Sequence, residues 1–166
     1  MDLPPVPGSG RARLLEAALD LFRSKPYASV QVLDVARQAG VTTGSLYHHF
    51  GDKEGLYRAL RNEWVARSLD RAHGARAAGG SARDILWSVF EAGLAFGVAR
   101  ILAFSGPDGR AADPLASGLA ELLPNPWNRA AFFLTRILAA GFLQEAEAPG
   151  SAARLMDALL DGALRD

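Results

Sequence analysis

The stretch VARQAGVTTGSLYHHF, Val35 to Phe50, interrupts a helical pattern with a glycine and restarts it with two threonines, a second glycine, a tyrosine and paired histidines. Before the break, Val32, Val35, Ala36 and Ala39 share one helical face, and Asp34 sits near the helix start, where a carboxylate complements the dipole. Gly40 suits a left-handed cap. Thr42 then offers a side-chain oxygen to open a further helix, Thr43 to Phe50, as N-cap threonines do. Two short helices parted by a tight turn with glycine make a helix-turn-helix, whose second helix can enter the major groove of DNA.

Projected at about 100° per residue, Leu46 and Phe50 turn inward with Val41. The opposite side carries Gly44 and His48, flanked by Ser45 and Tyr47, with Thr43 at the entry. That face has no large aliphatic residue, and its hydroxyl and imidazole groups can bond phosphate oxygens or base edges. Two residues leave alternatives open. Gly44 costs a helix roughly 1 kcal/mol relative to alanine; either close approach to a phosphate or base offsets this, or the first helical turn tolerates it. Lys53 opposes the dipole of the helix it opens; either a DNA phosphate reverses the local sign, or Asp52 and Glu54 neutralise it.

Working outward, Leu15, Ala18, Leu19 and Phe22 give Arg11–Ser24 an amphipathic pattern, and Pro26 stops it,. Asp52 is the expected cap of a helix from Lys53 to about Ala72, with Leu56, Tyr57, Leu60 and Trp64 inside. Composition changes at Gly79 and Gly80. Beyond them the pattern predicts helices over 84–104, 114–123, 127–147 and 152–164, with SGPDGRAADP as a loop and PNP as a second break,. Alanine, leucine and arginine dominate and no segment alternates for long, so the expected fold is all-α.

The net charge of zero conceals an asymmetry. Residues 1–83 hold 12 Lys/Arg against 8 Asp/Glu, whereas residues 84–166 hold 6 against 10. A moderately basic amino-terminal part suits a polyanion, and equally a solvated surface. Cysteine is absent, which removes disulfides, thiolate catalysis and zinc-thiolate sites. The apolar run 89–104 is interrupted by Glu91 and Arg100 and falls short of a membrane span,. MDLPPVPGSG lacks the basic and apolar segments of a signal peptide and reads as a flexible arm, so a cytoplasmic location is expected. No nucleophile elbow or isolated carboxylate pair stands out, and no enzyme activity is expected. His48 and His49 diverge around a helix and His73 is the remaining imidazole, so neither a metal nor a cofactor is expected.

Taken together, Asp34-Val35-Ala36, Ala39-Gly40-Val41, Thr42, Gly44, Leu46-Tyr47, His49-Phe50, Lys53 and Leu56 resemble the amino-terminal pattern of the TetR/AcrR family of bacterial transcriptional regulators, with its spacing kept without a gap. The resemblance covers residues 11–65. It implies a flexible arm at 1–10, a helix-turn-helix DNA-binding domain at 11–52, a connecting helix and linker at 53–80, and a helical ligand-binding and dimerisation domain at 81–166. It assigns Thr42, Ser45, Tyr47 and Lys53 to phosphates and Thr43, Gly44 and His48 to base edges, while His49 braces the motif or touches phosphate. Two departures stand out: Pro26 where the family often has glycine, and Gln31 where it has a Ser or Thr cap. Gln31 can still reach a phosphate.

The implied function is a DNA-binding regulator of transcription, a homodimer on a palindromic operator released as a repressor by a small ligand. A helical dimeric adaptor with a vestigial motif is the alternative. Trp87, Phe90, Phe96, Phe104, Trp127 and Phe133 line either a cavity for an apolar effector or an ordinary core, and Arg100 and Arg136 either serve that cavity or pair at the surface. Residues 127–147 are apolar on more faces than one neighbour covers. With Phe142, Leu155, Met156, Leu159 and Leu160 they form either a four-helix subunit contact or burial within one chain.

Overall fold

The computed structural model describes residues 8–103 and 113–163. Every regular element among them is helical: α1 Gly10–Ser24, a 3-10 turn Tyr27–Ser29, α2 Val32–Gln38, α3 Thr43–Phe50, α4 Lys53–Ala77, α5 Ala82–Ala95, α6 Ala99–Ala103, α7 Pro114–Leu122, a second 3-10 turn Trp127–Ala130, α8 Ala131–Glu147 and α9 Ala152–Ala163. The expected all-α class is what the chain adopts. No helix among the described residues is long and apolar enough to cross a membrane. Most of the amino-terminal arm, Phe104 and the side chain of Leu155 lie outside what is described.

The chain divides into two compact units, Met1–Arg61 and Asn62–Asp166. In the first, α1, α2 and α3 pack against one another pairwise. Leu14, Leu15, Ala18 and Phe22 of α1 meet Val30, Val35, Ala36 and Leu46 in a core that also holds Leu56, Tyr57 and Leu60. Each large side chain so buried stabilises the unit by about 1.5–3 kcal/mol. The Tyr57 ring sits edge-on to Phe22 at 4.9 Å and to Tyr27 at 5.0 Å. Burial pushes the Tyr57 hydroxyl well above the ordinary tyrosine range. Burial also raises Tyr27, with Glu54 and Asp52 adding to the effect.

In the second unit α8 packs against α5, α6, α7 and α9. A capping box opens α5: the Asp84 amide donates to Ser81 Oγ at 3.3 Å, and the Ser81 amide and hydroxyl donate to Asp84 Oδ2 at 2.9 and 2.7 Å. Those bonds hold the Asp84 carboxyl below its ordinary pKa,. Arg83 ties α5 to α9 through Asp161, at 2.8 Å, and Asp157.

Three helix boundaries differ from the pattern-based expectation. The helix expected over 84–104 is broken: Gly97 takes φ +64°, its amide donates to Leu94 and the Val98 amide to Gly93, both at 2.9 Å. That bond pair ends α5 in a left-handed turn open to glycine at little cost. α4 continues past Ala72 to Ala77, because Ala72 is fully buried and tertiary packing outweighs a single exposed glycine,. The helix expected from Trp127 begins as a 3-10 turn, with α8 proper starting at Ala131.

Candidate nucleic-acid interface

The turn between α2 and α3 is closed by backbone bonds. Gly40, at φ +63°, donates to the Arg37 carbonyl at 3.2 Å, and Val41 donates to that of Ala36 at 3.0 Å. Thr42 then caps α3, its Oγ1 accepting from the Ser45 amide at 3.2 Å. These bonds orient α3 so that Leu46 is fully buried while Thr42, Gly44, Tyr47, His48 and His49 are exposed. Thr43 and Ser45 are half-buried. Tyr47 retains 52% of its surface. The structure thus brings Thr42, Thr43, Gly44, Tyr47 and His48 together on one face of α3.

Gly44 has room. A Cβ built there meets only Thr42 Oγ1, at 3.6 Å, and its φ is not positive. Nothing among the described residues therefore requires glycine at this position.

Ser45 and His49 turn toward α1. A Cβ on Gly10 would stand 3.6 Å from Ser45 Oγ and 3.8 Å from His49 Nε2, so both side chains border the first residue of α1, itself capped by Ser9 through the Ala12 amide at 3.2 Å. Arg11 lies over the Phe50 ring, 5.4 Å from its centre. Gln31 is exposed at the N-cap of α2 and makes no side-chain capping bond.

Lys53, which the resemblance assigns to a phosphate, has protein partners in this structure. Its ammonium donates to the carbonyls of Tyr27 and Val30, both at 3.1 Å, and lies 4.3 Å from the centre of the Tyr27 ring. These groups, rather than Asp52 and Glu54, explain a cation at the start of α4. Asp52 is occupied as the cap, accepting from the Gly55 amide at 2.7 Å. Residue pairing across such sequence distances left no local signal.

The aromatic residues named as pocket lining take different places among the described residues of the second unit. Phe90 is fully buried and stacks on Phe142, centroids 5.4 Å apart. Trp87 is half-buried, its indole N–H donating to Glu91 at 2.9 Å. Phe96 packs on Trp64 at 5.1 Å. Trp127 is half-buried in its 3-10 turn, Arg100 is half-buried, and Arg136 is exposed. Phe133, 70% exposed, meets Phe132 edge-on. A cleft of about 440 Å³ lies elsewhere in the second unit, lined by His73, Arg76, Ala77, Glu121 and Leu122.

Of the two alternatives left open for the residues of α8 and α9, burial within one chain describes three of them. Phe142, Met156 and Leu160 are fully buried within their own unit, and a Cβ on Gly141 would collide with the Met156 side chain and crowd Phe90. The close helix approach at Gly141 is made inside the chain, against α9. What α8 and α9 leave exposed is Phe132, Phe133, Leu143 and Leu159.

Comparison with known proteins places this geometry. Residues 14–60 match the family described as bacterial regulatory proteins, tetR family. The HTH-type transcriptional repressor KstR2 of Mycolicibacterium smegmatis is 36% identical over 64 residues, covering 39% of this chain and 31% of the relative. The transcriptional repressor AcnR of Corynebacterium glutamicum is 38% identical over 64 residues, covering 39% and 34%. The chain thus matches about a third of the length of these curated relatives. A solved TetR-family transcriptional regulator from Streptomyces coelicolor shares the fold over 94% of this chain and 98% of its own, with a TM-score of 0.68 at 22% identity. The regulator FadR from Bacillus subtilis, solved with stearoyl-CoA, does so over 90% and 95%, with a TM-score of 0.66 at 17% identity. Residues 14–60 thus carry the amino-terminal domain pattern of the tetR family of bacterial regulatory proteins, and the remainder of the chain shares the fold of solved regulators.

Proposed function

We propose that this chain is a DNA-binding transcriptional repressor that acts as a homodimer on a near-palindromic operator and is released by a small apolar effector. The observation that carries the reading is the outer face of α3: exposed hydroxyl, phenol and imidazole groups around a glycine that no neighbour among the described residues requires. Thr43, Gly44 and His48 lie against base edges; Gln31, Thr42, Ser45 and Tyr47 hold phosphates, and His49 braces α3 against α1. Two copies related by a two-fold axis would present their α3 helices about 34–36 Å apart, one turn of duplex, or a multiple of it.

The self-association surface in this reading is the exposed apolar set Phe132, Phe133, Leu143 and Leu159, since two-fold contacts are self-complementary. Effector release follows from population shift: the ligand prefers a state in which the two recognition helices fit the operator badly. Support for an apolar effector comes from the shared fold of FadR, solved with stearoyl-CoA.

Fluorescence anisotropy with duplex DNA from the region upstream of the chain's own gene tests the proposal. Binding that survives excess unrelated duplex is the expected result. Binding abolished equally by any competitor would leave a helical adaptor with a vestigial motif as the better reading.

A further inference from the structure

We infer that Lys53 is a positioning residue for the start of α2. The first turn of α2 lacks the side-chain cap that Ser, Thr, Asp or Asn would supply, because Gln31 makes no such bond,. Its first intrahelical bonds run from the Asp34 and Val35 amides to the Gln31 carbonyl, at 3.1 and 3.2 Å. The residues leading into that turn are held from outside. Lys53 donates to the carbonyls of Tyr27 and Val30 on either side of the Ala28-Ser29 pair, and its charge rests on the Tyr27 ring. Val30 is buried to 1% exposure, so the segment is fixed at both carbonyls, one ring and one side chain immediately before α2 begins. Two charge-assisted bonds and a cation–π contact fix the chain that enters α2, a positional role distinct from that of a cap, which would accept from the first amides. Because α2 packs on both α1 and α3, a start that wanders would blur the angle at which α3 is presented.

The consequence for α2 is independent of DNA; the consequence for binding rests on the proposed function. The test compares wild type with Lys53→Met, which keeps most of the side-chain length and removes the charge. Amide hydrogen exchange at Asp34 and Val35 is expected to quicken about tenfold or more, the change corresponding to one lost bond to a charged donor, while α3 amides are unaffected. Affinity for the operator falls about tenfold at the same slope of log affinity against log salt, with little loss on unrelated duplex. Adding Gln31→Thr, which supplies a cap hydroxyl, slows the exchange again. Lys53→Gln, a milder change that keeps a donor and removes the charge, reproduces the faster exchange in part and covers the case in which Lys53→Met does not fold. Unchanged exchange at Asp34 and Val35 overturns the inference. So does a salt slope shallower by about 0.9 with equal loss on all duplexes, the signature of a phosphate contact. Failure of wild type to bind any duplex would count against the proposed function alone, with the exchange result still deciding the role of Lys53.

Discussion

Replacing Gly44 by alanine should move stability and DNA binding in opposite directions. Within the free protein the added methyl group meets only Thr42 Oγ1 at 3.6 Å, an ordinary van der Waals contact, and the backbone there is not left-handed. Removing a glycine from an unstrained helical position stabilises a protein by about 0.4–1 kcal/mol, largely by restricting the unfolded chain. The first unit should therefore unfold at slightly higher urea, followed by circular dichroism. Against DNA the methyl would occupy space that a base edge or phosphate needs. Overpacking of a close contact costs about 1–3 kcal/mol, which corresponds to roughly 5- to 150-fold weaker binding. Anisotropy at one fixed salt concentration reads this directly. An alanine variant that binds as tightly as wild type would refute the assignment of Gly44 to the contact surface, and a variant that is less stable would refute the statement that the protein leaves room there.

Other expectations follow from the same coordinates. Tyr47→Ala should weaken binding to all duplexes while leaving stability within about 0.5 kcal/mol, because the ring is exposed,; equal loss of stability would contradict a surface role. Stability of the first unit should fall as pH rises above about 10, because burial raises Tyr57, and less strongly Tyr27, above the unfolded value, so their contribution is complete below that pH and lost above it. Tyr57→Phe should flatten that alkaline limb in pH-dependent denaturation. On the acid side, Asp84 is held below its ordinary value by Ser81, so its contribution is present above the unfolded carboxylate range and fades as pH falls through the folded value; Asp84→Asn should remove that dependence. Phe133→Glu should lower the sedimentation-measured mass toward that of a single chain without unfolding it, whereas Phe142→Ala should destabilise the second unit by about 3–5 kcal/mol.

The elements nearest the candidate site were the most legible. Gly40, Thr42 and the inward spacing of Val41, Leu46 and Phe50 are local signals, and α3 begins at Thr43 and ends at Phe50 as they indicate. Gly97 could not be read the same way, because apolar residues keep helical spacing on both sides of it and only its positive φ ends the helix. Lys53 was legible as an anomaly but not as a contact, since its acceptors lie 26 and 23 residues earlier in the chain. On α8, apolar on most faces, spacing alone does not choose the inside. Phe142 took the core against Phe90, and Phe132 and Phe133 were left outside.

Selection of duplexes from a random pool by the purified full chain bears most directly on the claim that α3 reads DNA. The account predicts enrichment of inverted repeats whose half-site centres lie about 10 base pairs, or a multiple of that, apart, lost when Thr43 and His48 are both replaced by alanine. A pool that stays unenriched, or an unchanged set of sequences selected by that double variant, would contradict it.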